Sequence, residues 1–204
     1  MRLEFFFDYG SPFAYLGSTQ LSRLIQESEA EIVYRPILLG GLFKLIGAPM
    51  VPIDTFSEPK RSHAAKDMIR WAKHWNVPFS FPSRFPMRTV DAMRLTEVVL
   101  EQEPGRVERL MHAIFKAYWV EDRDISDETV LKSCLRQVEI NEDCYELIRE
   151  PRIKQALIDD TQNAAERGVF GVPSFVVGSH LFWGQDRLLF VERALRAELA
   201  AKVA

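Results

Sequence analysis

The sequence predicts an α/β fold in which the sheet-forming segments lie at the two ends of the chain and a long helical block lies between them. Three observations predict it. Short aromatic and β-branched runs occur near both ends and almost nowhere in the middle. From about residue 59 to residue 168 the apolar residues recur at helical intervals. The chain has 204 residues, 47% of them hydrophobic, which suffices for a large core without a disulfide or metal staple.

The first element is residues 3–7, LEFFF, a short run of strand character. It breaks at Asp8-Tyr9-Gly10 and meets Ser11-Pro12, a helix start. The serine hydroxyl accepts from an orphan backbone N–H, and proline suits the first helical position. Phe13, Leu16, Leu21, Leu24 and Ile25 continue at helical spacing, which predicts one crossover helix. A second strand follows at residues 31–35, EIVYR, with an extension past Pro36 into Ile37-Leu38-Leu39. A crossover of this length makes the two strands parallel. Helices are predicted over residues 60–75, 89–101 and 106–119. Ser126 and Asn141 read as caps of two shorter helices, and residues 152–167 as another ending at Gly168. Residues 77–86, VPFSFPSRFP, hold three prolines and read as an extended connector. Strand signals return at residues 174–177 and 180–183 around Gly178-Ser179, an antiparallel hairpin. A last helix covers residues 187–200. The outer segments therefore have the order of a thioredoxin-like sheet, with residues 1–45 and 168–204 as one domain and residues 46–167 as an inserted all-helical domain.

Composition excludes several classes. A formal charge of -3, from 26 basic and 29 acidic residues, gives no basic excess for a nucleic-acid partner. Two cysteines, Cys134 and Cys144, exclude a disulfide framework, and the four histidines (His63, His74, His112, His180) form no metal-ligand spacing. No apolar run reaches the length of a membrane span, and the aspartate within the N-terminal apolar stretch argues against a signal peptide. A cytoplasmic protein is expected.

Three constellations carry candidate chemistry. Ser11-Pro12-Phe13 opens the first helix, where unpaired N–H groups favour an anion such as a thiolate; the alternative is that Ser11 only caps the helix. Val172-Pro173 precedes a strand, and Pro173 is either cis or merely the start of an edge strand. Trp183-Gly184-Gln185-Asp186 forms the turn into the last helix, where Asp186 either caps that helix or holds a ligand's ammonium group. The basic residues Lys60, Arg61, Arg84 and Arg88 read mainly as solvated. The slot at the first helix reads Ser11-Pro12-Phe13-Ala14, with no Cys-x-x-Cys, so a thiolate used there must arrive with a ligand.

Residues 6–16, FFDYGSPFAYL, resemble the N-terminal motif of the 2-hydroxychromene-2-carboxylate isomerases and kappa-class glutathione transferases. So do residues 39–44, LGGLFK, residues 169–175, VFGVPSF, and residues 182–188, FWGQDRL, in the same order along the chain. The resemblance implies a DsbA-like thioredoxin fold with a helical insertion, a homodimer, and glutathione as cofactor. By position it implies that Ser11 hydrogen-bonds the glutathione sulfur beside Pro12 and Phe13. It implies that Val172, before Pro173, pairs with the cysteinyl backbone, and that Trp183, Gly184, Gln185 and Asp186 grip the γ-glutamyl end. On the substrate side it implies Lys44, a polar residue in the following loop, and a residue near Phe85. The loop reads GAPMVPID and lacks the asparagine of the relatives, so Asp54 is the stand-in there. Lys44 or Arg88 would meet the carboxylate of an aromatic-derived small-molecule substrate. The implied activity is glutathione-dependent isomerisation by reversible thiolate addition. The rival readings are a kappa-like transferase or peroxidase and a non-catalytic binding module on the same scaffold.

Overall fold

The computed structural model describes residues 1–26, 28 and 30–203. Its centre is β1 (Arg2–Phe7), paired in parallel with β2 (Glu31–Pro36), Phe5 standing opposite Tyr34. On the other side β3 (Ser174–Val177) runs antiparallel, with Phe5 opposite Phe175, and β4 (His180–Trp183) follows as the outer strand. The order is β2-β1-β3-β4. The aromatic run of β1 serves both faces of the sheet: Phe5, Phe6 and Phe7 are all buried. Phe5 stacks on Phe7 with centroids 5.2 Å apart and meets the Phe175 ring at 5.3 Å. The hairpin between β3 and β4 turns at Gly178, whose φ of 57° suits glycine. All four strands lie where the sequence places them, to within a residue at each end.

Two differences concern the crossovers. The single helix expected after Ser11 is two, α1 (Pro12–Ser18) and α2 (Leu21–Gln26). Ser18 and Thr19 donate their hydroxyls back to the carbonyls of Tyr15 and Leu16, both at 2.7 Å, and the chain bends there. The expected extension of β2 beyond Pro36 is instead the approach to α3 (Leu39–Ile46). The pair Gly40-Gly41 argues against a helix on propensity alone. Its use is contact: a Cβ on Gly41 would lie 3.4 Å from Thr161 Cγ2, on the helix that covers this face. Gly47, at φ 69°, ends α3 in the left-handed region.

The helical block holds α4 (Glu58–His74), α5 (Val90–Gln102), α6 (Val107–Trp119), α7 (Glu128–Gln137) and α8 (Pro151–Glu166). On α6, Val107, Leu110, Met111, Ile114, Phe115 and Tyr118, which recur at helical spacing, are all buried. Asp127, not Ser126, caps α7: its carboxylate accepts from Thr129 N–H, while Ser126 bonds to Asp124. Asn141 caps the next segment as expected, but that segment, Glu142–Arg149, is a 3-10 helix. The final helix, α9 (Leu188–Val203), follows a 3-10 turn over Gln185–Arg187. Asp186 lies inside that turn, paired with Arg187, and is not the cap of α9.

One contiguous buried cluster runs from β1 through α5–α8 to α9. On the sheet's flank Glu4 of β1 accepts from Arg35 at 2.9 Å and from Arg167 at 3.0 Å. These partners, Arg167 foremost, hold its carboxyl below the usual range against the opposing effect of burial.

Candidate active site

The end of β1 meets the start of α1 and the loop before β3 at one point. Ser11 is 6% exposed and caps α1, its Oγ accepting from Ala14 N–H at 3.1 Å. The same hydroxyl donates to the Val172 carbonyl, also at 3.1 Å. The cap expected at Ser11 is thus present, and the hydroxyl also bonds across to the loop before β3. The Val172–Pro173 bond is cis, one of the two alternatives the sequence left open. Among the described residues the Val172 N–H has no hydrogen-bond acceptor.

The turn after β4 closes against the same loop. Gly184 N–H donates to the Pro173 carbonyl at 2.9 Å, and Gly184 stands at φ 101°. Trp183 is half exposed and lies over Gly171 and against Phe170, ring centroids 5.0 Å apart. Gln185 is buried, and its Oε1 accepts from Trp75 Nε1 at 3.0 Å, which ties the end of α4 to this turn. Gly17 of α1 leaves room for Pro173 and Gln185: a Cβ there would meet each at 3.4 Å. These contacts bring Ser11, Val172, Pro173, Trp183, Gly184 and Gln185 into one region, with Pro12, Phe13 and Asp186 as their neighbours along the chain. The Gln185 side chain is committed inward to Trp75.

The substrate-side residues are more scattered. Phe85 packs on Trp119 at 6.2 Å, and Trp119 Nε1 donates to the Tyr9 carbonyl at 2.8 Å, two residues before Ser11. Arg88 is exposed and pairs with Asp91 at 2.6 Å. The next residue, Thr89, is buried beside Gly10. Lys44, in the last turn of α3, and Asp54, in the 3-10 turn Pro52–Thr55, are both exposed and make no contact with the Ser11 junction among the described hydrogen bonds. Two cavities, of about 320 and 400 Å³, lie against α9 and the start of β1, and none of these residues lines them.

Sequence reasoning missed the scaffold around the junction. Asp8 is 2% exposed and accepts from Gly10 N–H and Leu39 N–H, each at 2.8 Å. It thereby caps α3, whose own cap residue, Leu38, has no side chain for the task. The available signal was an acidic residue closing an apolar strand just before a Ser-Pro helix start. Trp75 and Trp119 are the last residues of the helices expected over 60–75 and 106–119, and neither was expected at the site. Neither cysteine is near: Cys134 lies in α7 with its thiol pushed up to about 11 by burial, and Cys144 lies in the 3-10 segment after it. Among the described residues no cluster of three His, Cys, Asp or Glu could hold a metal, and no helix is long and apolar enough to cross a membrane.

A thioredoxin-type sheet with a helical block between its two halves defines the class, and the comparisons agree. The model of the DsbA-like thioredoxin domain matches residues 2–196, and the chain belongs to that family. It is 31% identical to a 2-hydroxychromene-2-carboxylate isomerase of Sphingobium xenophagum, over 95% of this chain and 97% of that one. It is 26% identical to glutathione S-transferase kappa 1 of Rattus norvegicus, over 91% of this chain and 87% of that one. A solved 2-hydroxychromene-2-carboxylate isomerase superposes with a TM-score of 0.81 over the whole of both chains at 24% identity, which shows the shared fold. The chain is thus an enzyme of the branch formed by these isomerases and transferases.

Proposed function

We propose that the protein is a glutathione-dependent isomerase of the 2-hydroxychromene-2-carboxylate type. The observation that carries this reading is a buried serine hydroxyl 3.1 Å from the Val172 carbonyl, in a slot with no cysteine of its own. Glutathione fits the groups present: a hydroxyl donor, a helix start, and a Val172 N–H free to pair with a peptide backbone. Bound there, it supplies a thiolate able to add reversibly to a conjugated carbon. Ser11, Pro12 and Phe13 would face its sulfur, Val172 and Pro173 its cysteinyl backbone, and Trp183, Gly184, Gln185 and Asp186 its γ-glutamyl end.

Ser11 acts by donating a hydrogen bond, not as a nucleophile. Lowering a free thiol pKa from about 8.5 by about two units requires about 2.7 kcal/mol of preference for the charged form. A hydrogen bond to a charged group contributes about 1.5–3 kcal/mol and a helix end about 0.3–1 kcal/mol. Their sum reaches what is needed. Lys44 or Arg88 would hold the carboxylate of an aromatic-derived substrate, Phe85 would stack on its ring, and Asp54 would take a polar contact. The protein would act as a homodimer in the cytoplasm.

The test is calorimetric titration of reduced glutathione into the parent and Ser11→Ala, with thiolate absorbance followed against pH. Chromene-carboxylate ring opening is then assayed. Saturable binding with a lowered thiol pKa in the parent, reversed in the variant, supports the reading. Binding without ring opening transfers support to a kappa-like transferase or peroxidase, the reading favoured by the 26% match to the rat transferase. No binding at millimolar glutathione leaves a non-catalytic module.

A further inference from the structure

Asp8 stands where the cofactor side and the substrate side of the proposed site meet. Oδ1 accepts from Gly10 N–H and Oδ2 from Leu39 N–H, each at 2.8 Å, and its own carbonyl accepts from Ser11 N–H at 3.1 Å. The Thr89 hydroxyl faces the same carboxylate. One oxygen thus fixes the turn that presents Ser11. The other fixes the first residue of α3, the helix that carries Lys44. Thr89 lies at the start of α5, directly after Arg88.

We propose that Asp8 is a positioning residue whose carboxylate clamps the Ser11 turn to α3 and to the start of α5, holding the two sides of the site in fixed register. The proposal rests on the function proposed above. A carboxylate suits this place because it accepts on both oxygens, whereas an amide accepts on one side and donates on the other. Burying an acid without a cation is unfavourable. Among the described contacts no Lys or Arg pairs with Asp8; two neutral backbone amides donate to it, from its own turn and from α3, and Thr89 lies beside that turn. Burial pushes its carboxyl up, and the Gly10 and Leu39 amides pull it back.

The experiment uses Asp8→Asn in the full-length protein. Whichever way the asparagine is turned, its NH2 group faces one backbone N–H, so one arm of the clamp is lost. Three quantities are read: amide exchange at Gly10 and Leu39, the glutathione dissociation constant, and kcat for ring opening. The expected result is exchange about tenfold faster at one or both amides and kcat lower by about tenfold, a difference of about 1.4 kcal/mol. Glutathione affinity should stay within about threefold. Unchanged exchange at both amides, or kcat and affinity falling together in step with a loss of folded protein, would overturn the proposal. Should Asp8→Asn fail to fold, Thr89→Val removes one neighbour of the carboxylate. It should lower kcat about threefold while Tm falls by only a few degrees, and an unchanged kcat overturns the proposal. A parent that neither binds glutathione nor opens the ring refutes the proposed function instead. The exchange measurement still decides whether Asp8 is a clamp.

Discussion

Glu97 offers a sharp test of the electrostatics of the helical block. It lies on α5 with 7% of its surface exposed, and its Oε1 is buried without a hydrogen-bond partner. Burial, and next the charge of Asp160 on α8, push its carboxyl from 4.5 up to about 8, against the pull of Arg35. For an acid with a raised folded pKa, the ionised form is disfavoured in the native state. Stability is therefore greatest below the unfolded pKa, falls as pH rises from 4.5 to about 8, and is flat above that. At about 1.4 kcal/mol per unit, the fall is about 3 kcal/mol by pH 7 and at most about 5 kcal/mol in full. Water reaching Oε1 would reduce both figures. Glu97→Gln keeps the volume and removes the charge. Urea unfolding of parent and variant at pH 5, 6, 7 and 8 should give curves that nearly coincide at pH 5. They should diverge by about 2–4 kcal/mol at pH 8, the variant being the more stable. Parallel pH profiles would show that Glu97 does not titrate in this window and would refute the reasoning.

Gly171→Ala places a methyl group 2.8 Å from Trp183 Nε1, a clash the half-exposed indole relieves by moving. Glutathione affinity should fall several-fold with Trp183 fluorescence altered and Tm little changed; unaltered affinity would remove Trp183 from the proposed site. Trp75→Phe deletes the donor to the buried Gln185 Oε1 and should destabilise by about 1–3 kcal/mol, read by urea unfolding. An effect below about 0.5 kcal/mol would mean that this bond does not hold α4 to the turn.

The legible parts of the fold were those in which local pattern and tertiary role agree. LEFFF reads as a strand and is one, because its aromatic side chains are wanted on both faces of a central strand. Residues 106–119 read as an amphipathic helix, and Val107, Leu110, Met111, Ile114, Phe115 and Tyr118 are buried there. Reading failed where contact outweighs propensity. The glycines of α3 argue against a helix in isolation, yet Gly41 lies against Thr161, 120 residues away. Ser18 and Thr19 fit a helical pattern until their hydroxyls turn back on the chain. At the site, Ser11 and Pro173 were visible because a Ser-Pro helix start and a proline just before a strand are signals carried by adjacent residues. Asp8 was passed over because its two amide partners lie 2 and 31 positions away, and the second depends on a helix that propensity concealed.

The Ser11 hydroxyl carries one proton, and that fact links recognition to activation on the proposed reading. In this structure the proton is directed at the Val172 carbonyl. It cannot serve a sulfur at the same time. Turning the hydroxyl toward a sulfur would leave that carbonyl unpaired unless a ligand amide donates to Val172 in its place, while Ala14 N–H keeps the oxygen fixed. The thiolate would then be stabilised only when a peptide backbone is seated beside Pro173, and small free thiols in solution would gain little from the site. S-methylglutathione separates the two roles, since it has the backbone and no ionisable sulfur. It should bind the parent and Ser11→Ala alike, whereas reduced glutathione should discriminate between them by about tenfold. Equal discrimination for both ligands would place the contribution of Ser11 in backbone recognition alone.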